Sequence, residues 1–131
     1  MKRLTQLLAL VSLLLLTACP PPDGGNDLGR RVEMFSAHVR WGKFDLAAGY
    51  ILPMKRAAFE DSQLEKAKTR RCTGYEVIRV ALTGPKTATA QVHFGWTNRA
   101  STIVRAVTVK QTWKRVGDVW MLIEWDPEDG L

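Results

Sequence analysis

Residues 87–97 read Thr-Ala-Thr-Ala-Gln-Val-His-Phe-Gly-Trp-Thr. Ala88, Ala90, Val92, Phe94 and Trp96 fall on one side, and Thr87, Thr89, Gln91, His93 and Thr97 on the other. A period of two over so long a run predicts a strand with one face buried and one face wet. The flanking sequence extends the pattern. Upstream, Glu76–Thr83 alternates with Ile78, Val80 and Leu82 on one side, and Gly84-Pro85 breaks it. Downstream, a third strand is predicted over Ser101–Arg115 and a fourth over Val119–Trp125. Gly117-Asp118 between them, with Gly first, suits the type II′ turn of a tight hairpin.

The chain before residue 76 carries a helical period instead. Leu28, Val32, Phe35 and Val39 make one apolar stripe, Asn26 or Asp27 is placed to cap its start, and Gly42 ends it beyond Trp41. A shorter helix follows at Phe44–Tyr50, interrupted by Pro53, and a third at Met54–Thr69 turns Ala57, Ala58, Leu64 and Ala67 inward. Helices followed by hairpin-linked strands predict an α+β fold: N-terminal helices packed on one face of an antiparallel sheet of about four strands.

The N-terminus, MKRLTQLLALVSLLLLTA, has the form of an export signal: Lys2 and Arg3, then an apolar run from Leu7 to Leu16 too short to span a bilayer. Leu16-Thr17-Ala18-Cys19 resembles the lipobox of bacterial lipoproteins. That resemblance implies cleavage before Cys19 and acyl chains on it, hence lipid anchoring in the bacterial cell envelope, facing the periplasm. Two or three chains at about 0.8 kcal/mol per buried methylene make such an anchor stable. The organisation expected is a signal at 1–18, a lipidated Pro/Gly tether at 19–27, one domain at 28–126 and a polar tail at 127–131. A domain of this size buries about two-thirds of its unfolded surface. Removing Lys2 and Arg3 from 19 basic residues leaves 17 against 13 acidic, a charge of about +4 that selects no partner by itself. With Cys19 acylated, Cys72 has no intrachain partner, and it is read as a buried apolar thiol rather than an intermolecular bridge.

Two further segments carry a resemblance. Arg40-Trp41-Gly42-Lys43-Phe44-Asp45-Leu46-Ala47-Ala48-Gly49-Tyr50 resembles the helix, turn and short helix that open the nuclear transport factor two-like (cystatin-like) superfamily. Gln111-Thr112-Trp113-Lys114-Arg115-Val116-Gly117-Asp118-Val119-Trp120-Met121-Leu122 resembles its final hairpin. The resemblance implies a curved, cone-type sheet wrapped on a helix, often a pocket, and often a homodimer through the open sheet face. The small hairpin many members insert between the second and third helices is absent from this sequence. The superfamily holds isomerases, cyclases, dehydratases and non-catalytic binding modules alike, so function has to come from the site.

No motif supplies an activity. In an isomerase-like or dehydratase-like site His93 would act as general base, with Asp45 and Tyr50 joining the pocket and His38 on the first helix near the sheet. Against this, nothing pairs the two histidines at a fixed spacing. Gln91, His93, Trp113 and Trp120 mark the candidate pocket or sheet face. Ser36, Ser62 and Ser101 lack a nucleophile elbow. No metal-ligand cluster or phosphate-binding Gly loop is present, and Asp126, Glu128 and Asp129 are too local for a calcium site. Most of the five tryptophans are read as core anchors rather than a stacking surface. Lys66-Ala67-Lys68-Thr69-Arg70-Arg71 is read as a solvated helix end, with anionic headgroups as the alternative partner. Export argues against nucleic acid. The expectation is a membrane-anchored envelope lipoprotein with a non-catalytic domain and no cofactor, binding an envelope protein or a small apolar ligand. Behind it stand an isomerase, cyclase or dehydratase using His93, and a structural accessory subunit of an envelope complex.

Overall fold

A computed structural model describes residues 24–127; the predicted signal, the predicted acyl-acceptor Cys19 and the end of the polar tail lie outside the described residues. Helix α1 spans Gly24–Arg40, α2 Phe44–Ala48, a 3-10 turn Pro53–Lys55 and α3 Arg56–Ala67. Four strands follow: β1 Arg70–Leu82, β2 Thr87–Asn98, β3 Val104–Val116 and β4 Val119–Pro127. They pair antiparallel in chain order, a meander with β1 and β4 at its edges.

The apolar stripe of α1 lies wholly in the core: Leu28, Val32, Phe35 and Val39 are buried against Ala88, Ala90, Val92 and Phe94 of β2 and Val107, Val109 and Trp113 of β3. Each such side chain contributes on the order of 1.5–3 kcal/mol through burial. The helix begins at Gly24, ahead of the expected cap at Asn26 or Asp27. It stops where expected. Gly42 takes a φ of +68° and closes a Schellman turn, in which the Lys43 N–H donates to the His38 carbonyl at 2.9 Å and the Gly42 N–H to the Val39 carbonyl at 3.1 Å. At the β3–β4 hairpin Gly117 has a φ of +62° and no non-glycine residue has a positive φ, which fits a type II′ turn.

Three predicted patterns are corrected. Helix α3 packs through Phe59, Gln63 and Ala67, so Ala57 and Ala58 are exposed and Leu64 stands 55% exposed rather than inward. Pro53 accounts for the shift: it opens a 3-10 turn, and the α-helix proper starts two residues later than Met54, with a different face to the sheet. Strand β1 starts at Arg70, not Glu76, and carries irregularities between Cys72 and Gly74 and between Val77 and Arg79. The second puts Ile78 out of register, 45% exposed, so Tyr75, Val77 and Val80 take the inner positions while Leu82 is exposed at the strand end. Strand β3 begins at Val104 rather than Ser101, because residues 98–101 form a side-chain-stapled turn. The Ala100 N–H donates to Asn98 Oδ1 at 3.0 Å, and Thr97 Oγ1 donates to the Ser101 carbonyl at 2.7 Å.

The far edge strand, β4, is held by the loop after α2. The Leu122 N–H donates to the Tyr50 carbonyl at 2.8 Å, the Leu52 N–H to the Leu122 carbonyl at 3.2 Å, and Lys55 Nζ to the Ile123 carbonyl at 2.6 Å.

Candidate functional site

The concave side of the sheet, where a cone-type fold would hold a ligand, is filled by aromatic rings. Phe35 of α1 meets Trp113 at 6.0 Å, Trp125 at 5.2 Å, Phe59 at 5.7 Å and Tyr50 at 6.4 Å between ring centroids; Trp125 also meets Phe94 at 5.4 Å. Mostly edge-on and tilted contacts of this kind add to burial. Two polar side chains share the interior. Trp113 Nε1 donates to Gln111 Oε1 at 3.0 Å, whereas Gln111 Nε2 and Ser36 Oγ are buried with no partner among the described residues.

The sequence-predicted site residues are not brought together. His93 and Gln91 are exposed on the outer face of β2, as their alternation requires. Trp113 and Trp120 are buried on the inner face, so the four do not form one surface. Asp45 is exposed on α2. Tyr50 is half-buried, with Arg31 4.6 Å above its ring and His38 5.8 Å away. His93 therefore has no enclosed pocket in which to act as a base.

A different constellation emerges where α1 and α3 end and β1 begins. A cavity of about 660 Å³ opens there, lined by five cations: Arg40, Lys66, Arg70, Arg71 and Arg99. No carboxylate lines it. The Schellman turn after α1 places Arg40 and Trp41 on one wall, the last turn of α3 supplies Lys66 and Ala67, and Trp96 and Cys72 form the sheet side. Arg99 joins through its turn: its Nε donates to the Ala67 carbonyl at 2.9 Å and its backbone N–H to the Thr69 carbonyl at 2.9 Å. The Arg40 guanidinium donates to the Cys72 carbonyl at 2.9 Å and lies 4.4 Å over the Trp41 ring. Arg70 lies 4.3 Å over Trp96, and its Nε is buried without a partner among the described residues. Beyond the Arg70–Trp96 pair a second cavity of about 470 Å³ is lined in part by Thr97, Ser101, Ile103 and Arg105.

The electrostatics follow from that crowding. Burial, then the like charge of Arg70, pulls the Lys66 ammonium below its ordinary value. Burial also pulls the Arg70 guanidinium down, against a smaller opposing effect of Cys72. Burial raises the Cys72 thiol, which donates to the Gly74 carbonyl at 3.3 Å; the nearby arginines only partly offset the rise. Among the described residues the ion pairs are Lys68–Glu65 and Arg115–Asp118, neither of which neutralises a cavity cation. The run Lys66–Arg71 contained three of the five cavity cations, but Arg40 and Arg99 gave no sequence signal, since only the fold carries them to it. No group of three or more His, Cys, Asp or Glu stands together among the described residues.

No family model matches the chain, and no curated protein matches it. Solved structures do. A ketosteroid isomerase-like protein from Erwinia carotovora atroseptica superposes with a TM-score of 0.64 at 10% identity, covering 80% of this chain and 95% of that one. A Streptomyces avermitilis protein named as a dehydratase of the NTF2-like family gives 0.59 at 14% identity, over 82% and 97% of the two chains. The fold is NTF2-like. The intermembrane-space region of the chloroplast protein ARC6 is similar to it as well, with a TM-score of 0.55 at 12% identity over 82% and 98%. At these identities the likeness is one of fold, and an NTF2-like fold hosts unrelated functions.

Proposed function

We propose that this chain is a lipid-anchored protein of the bacterial envelope, whose NTF2-like domain is a binding module and not a catalyst. The observation that carries the reading is the contrast between the two ends of the domain. The concave interior is occupied by Phe35, Trp113, Trp125 and Phe59, and the cavity of about 420 Å³ that Phe59 and Trp125 line between α3 and β4, beside Lys55, Lys66, Glu124 and Asp126, contains neither His38 nor His93. A roomier cavity, about 660 Å³, lies at the rim and is walled by cations suited to binding and orienting an anion. Anchoring rests on the resemblance of Leu16–Cys19 to a lipobox behind a short apolar leader. The outer face, with His93, Gln91 and several threonines, is polar, which favours a solvated surface over an apolar dimer contact.

Metabolic labelling with a fatty-acid analogue tests the anchor. The wild-type chain takes up label and stays with membranes after salt washing, whereas Cys19→Ala takes up none and loses membrane retention once its leader is removed. An unlabelled wild-type chain recovered in the cytosol would defeat the anchor and the envelope location with it.

A further inference from the structure

We propose that the rim cavity is a binding site for an amphiphilic phosphate monoester, its head held by Arg70 and Lys66 and its apolar body lying against Trp96 and Trp41. This deepens the binding-module reading and rests on it. Five cations around about 660 Å³ with no lining carboxylate is an arrangement that costs folding free energy, since like charges repel and two of them are partly desolvated. The cost is relieved when an anion enters. A phosphate monoester carries about −1.5 to −2 charges near neutral pH and offers three acceptor oxygens, enough to engage a guanidinium fork and an ammonium together. Arg70 is prepared for that role. Stacking on Trp96 fixes the plane of its guanidinium at the cavity wall. Arg40 and Arg99 each bond a backbone carbonyl, which pins them at the cavity wall and keeps their charge there.

The remaining lining argues for an apolar body on the ligand. Trp41 is 68% exposed and Leu64 is exposed beside it at the mouth, while Trp96 and Phe44 lie deeper. Large side chains left in water around a cavity of ligand size mark a surface awaiting contact. A bare inorganic anion would satisfy the cations and leave these groups wet. A purely apolar ligand would do the reverse and leave the charges unpaired.

The lipidated full-length protein, in phosphatidylcholine nanodiscs, is titrated with phenyl phosphate by calorimetry and by tryptophan fluorescence. The expected result is saturable one-to-one binding that is weaker for inorganic phosphate and absent for benzyl alcohol. Arg70→Gln and Lys66→Gln each weaken it by roughly tenfold or more, the loss of a charge-assisted hydrogen bond, and Arg70→Lys recovers part of it. Lys66→Gln decides the matter if Arg70→Gln does not fold. Repeating the titration in discs that contain phosphatidic acid, whose head is a phosphate monoester, separates the natural sources. Affinity lost there assigns the site to a lipid headgroup, and affinity retained assigns it to a soluble phosphate. No saturable binding of phenyl phosphate, or binding that neither substitution changes, overturns the proposal. Equal binding of benzyl alcohol overturns the anionic ligand but leaves the binding module standing, and failure of fatty-acid labelling at Cys19 would touch the anchor alone.

Discussion

Trp113 is the largest fully buried side chain among the described residues, and the cost of its replacement by alanine follows from its contacts. It is completely buried, meets Phe35 edge-on at 6.0 Å, and donates its indole N–H to Gln111. Truncating a buried tryptophan costs about 3–5 kcal/mol in lost burial and cavity formation. The Gln111 carbonyl, itself fully buried, then loses its partner, adding about 1–3 kcal/mol. Because Gln111 Nε2 already has none, the amide would be orphaned at both ends. The total, about 5 kcal/mol, is comparable with the whole stability of a domain of this size, roughly 5–15 kcal/mol. Urea denaturation followed by circular dichroism measures it. With an m-value of about 1–3 kcal/mol per molar, the midpoint falls by roughly 2–5 M or the chain is unfolded without denaturant. Trp113→Phe alone keeps most of the apolar volume yet strands Gln111, whereas Trp113→Phe with Gln111→Leu removes both partners and recovers stability. A loss under about 1 kcal/mol for Trp113→Ala, or a double variant no better than Trp113→Phe, would refute the account of this polar pair in an aromatic core.

Gly42→Ala forces a side chain into a left-handed conformation at φ +68° and is expected to cost about 1–2 kcal/mol, read as a lower urea midpoint with unchanged slope. Burial raises the Cys72 thiol above its ordinary value of 9.0, so the folded state holds that proton more tightly than the unfolded state does. Stability is therefore intact below pH 9.0 and declines as pH climbs from there toward the folded value. Tyr75, raised by burial and by its bond to Glu33, acts in the same direction at higher pH. Cys72→Ala should flatten the first part of that decline, and a pH profile identical to wild type would contradict it.

The fold was legible because its strongest patterns were uninterrupted. Leu28, Val32, Phe35 and Val39 kept one helical phase, and Ala88 to Trp96 kept strict alternation, so the inner faces of α1 and β2 followed directly. Legibility failed where a local irregularity reset the phase. Pro53 turned α3 so that Phe59 and Gln63 replaced Leu64 on the inner face. The irregularity at Ile78 displaced it from the core-facing set. The site was harder to read than the fold. His93 drew attention because histidine is the side chain that titrates near neutral pH, but its alternation with Val92 and Phe94 already placed it outward. The cavity depends on Arg40, Arg70 and Arg99, which lie far apart in the chain. They meet only once the Schellman turn at Gly42 and the turn at residues 98–101 are closed.

Both margins of the sheet are blunted, and this limits how another polypeptide can engage the molecule. β1 is kinked by its two register shifts, and the middle of β4 already exchanges hydrogen bonds with the segment from Tyr50 to Lys55. A visiting strand would find no straight ladder of free amides and carbonyls to extend. At the high local density that tethering to a membrane would create, such blunting guards against runaway edge-to-edge polymerisation, and it leaves recognition to side chains rather than to the main chain.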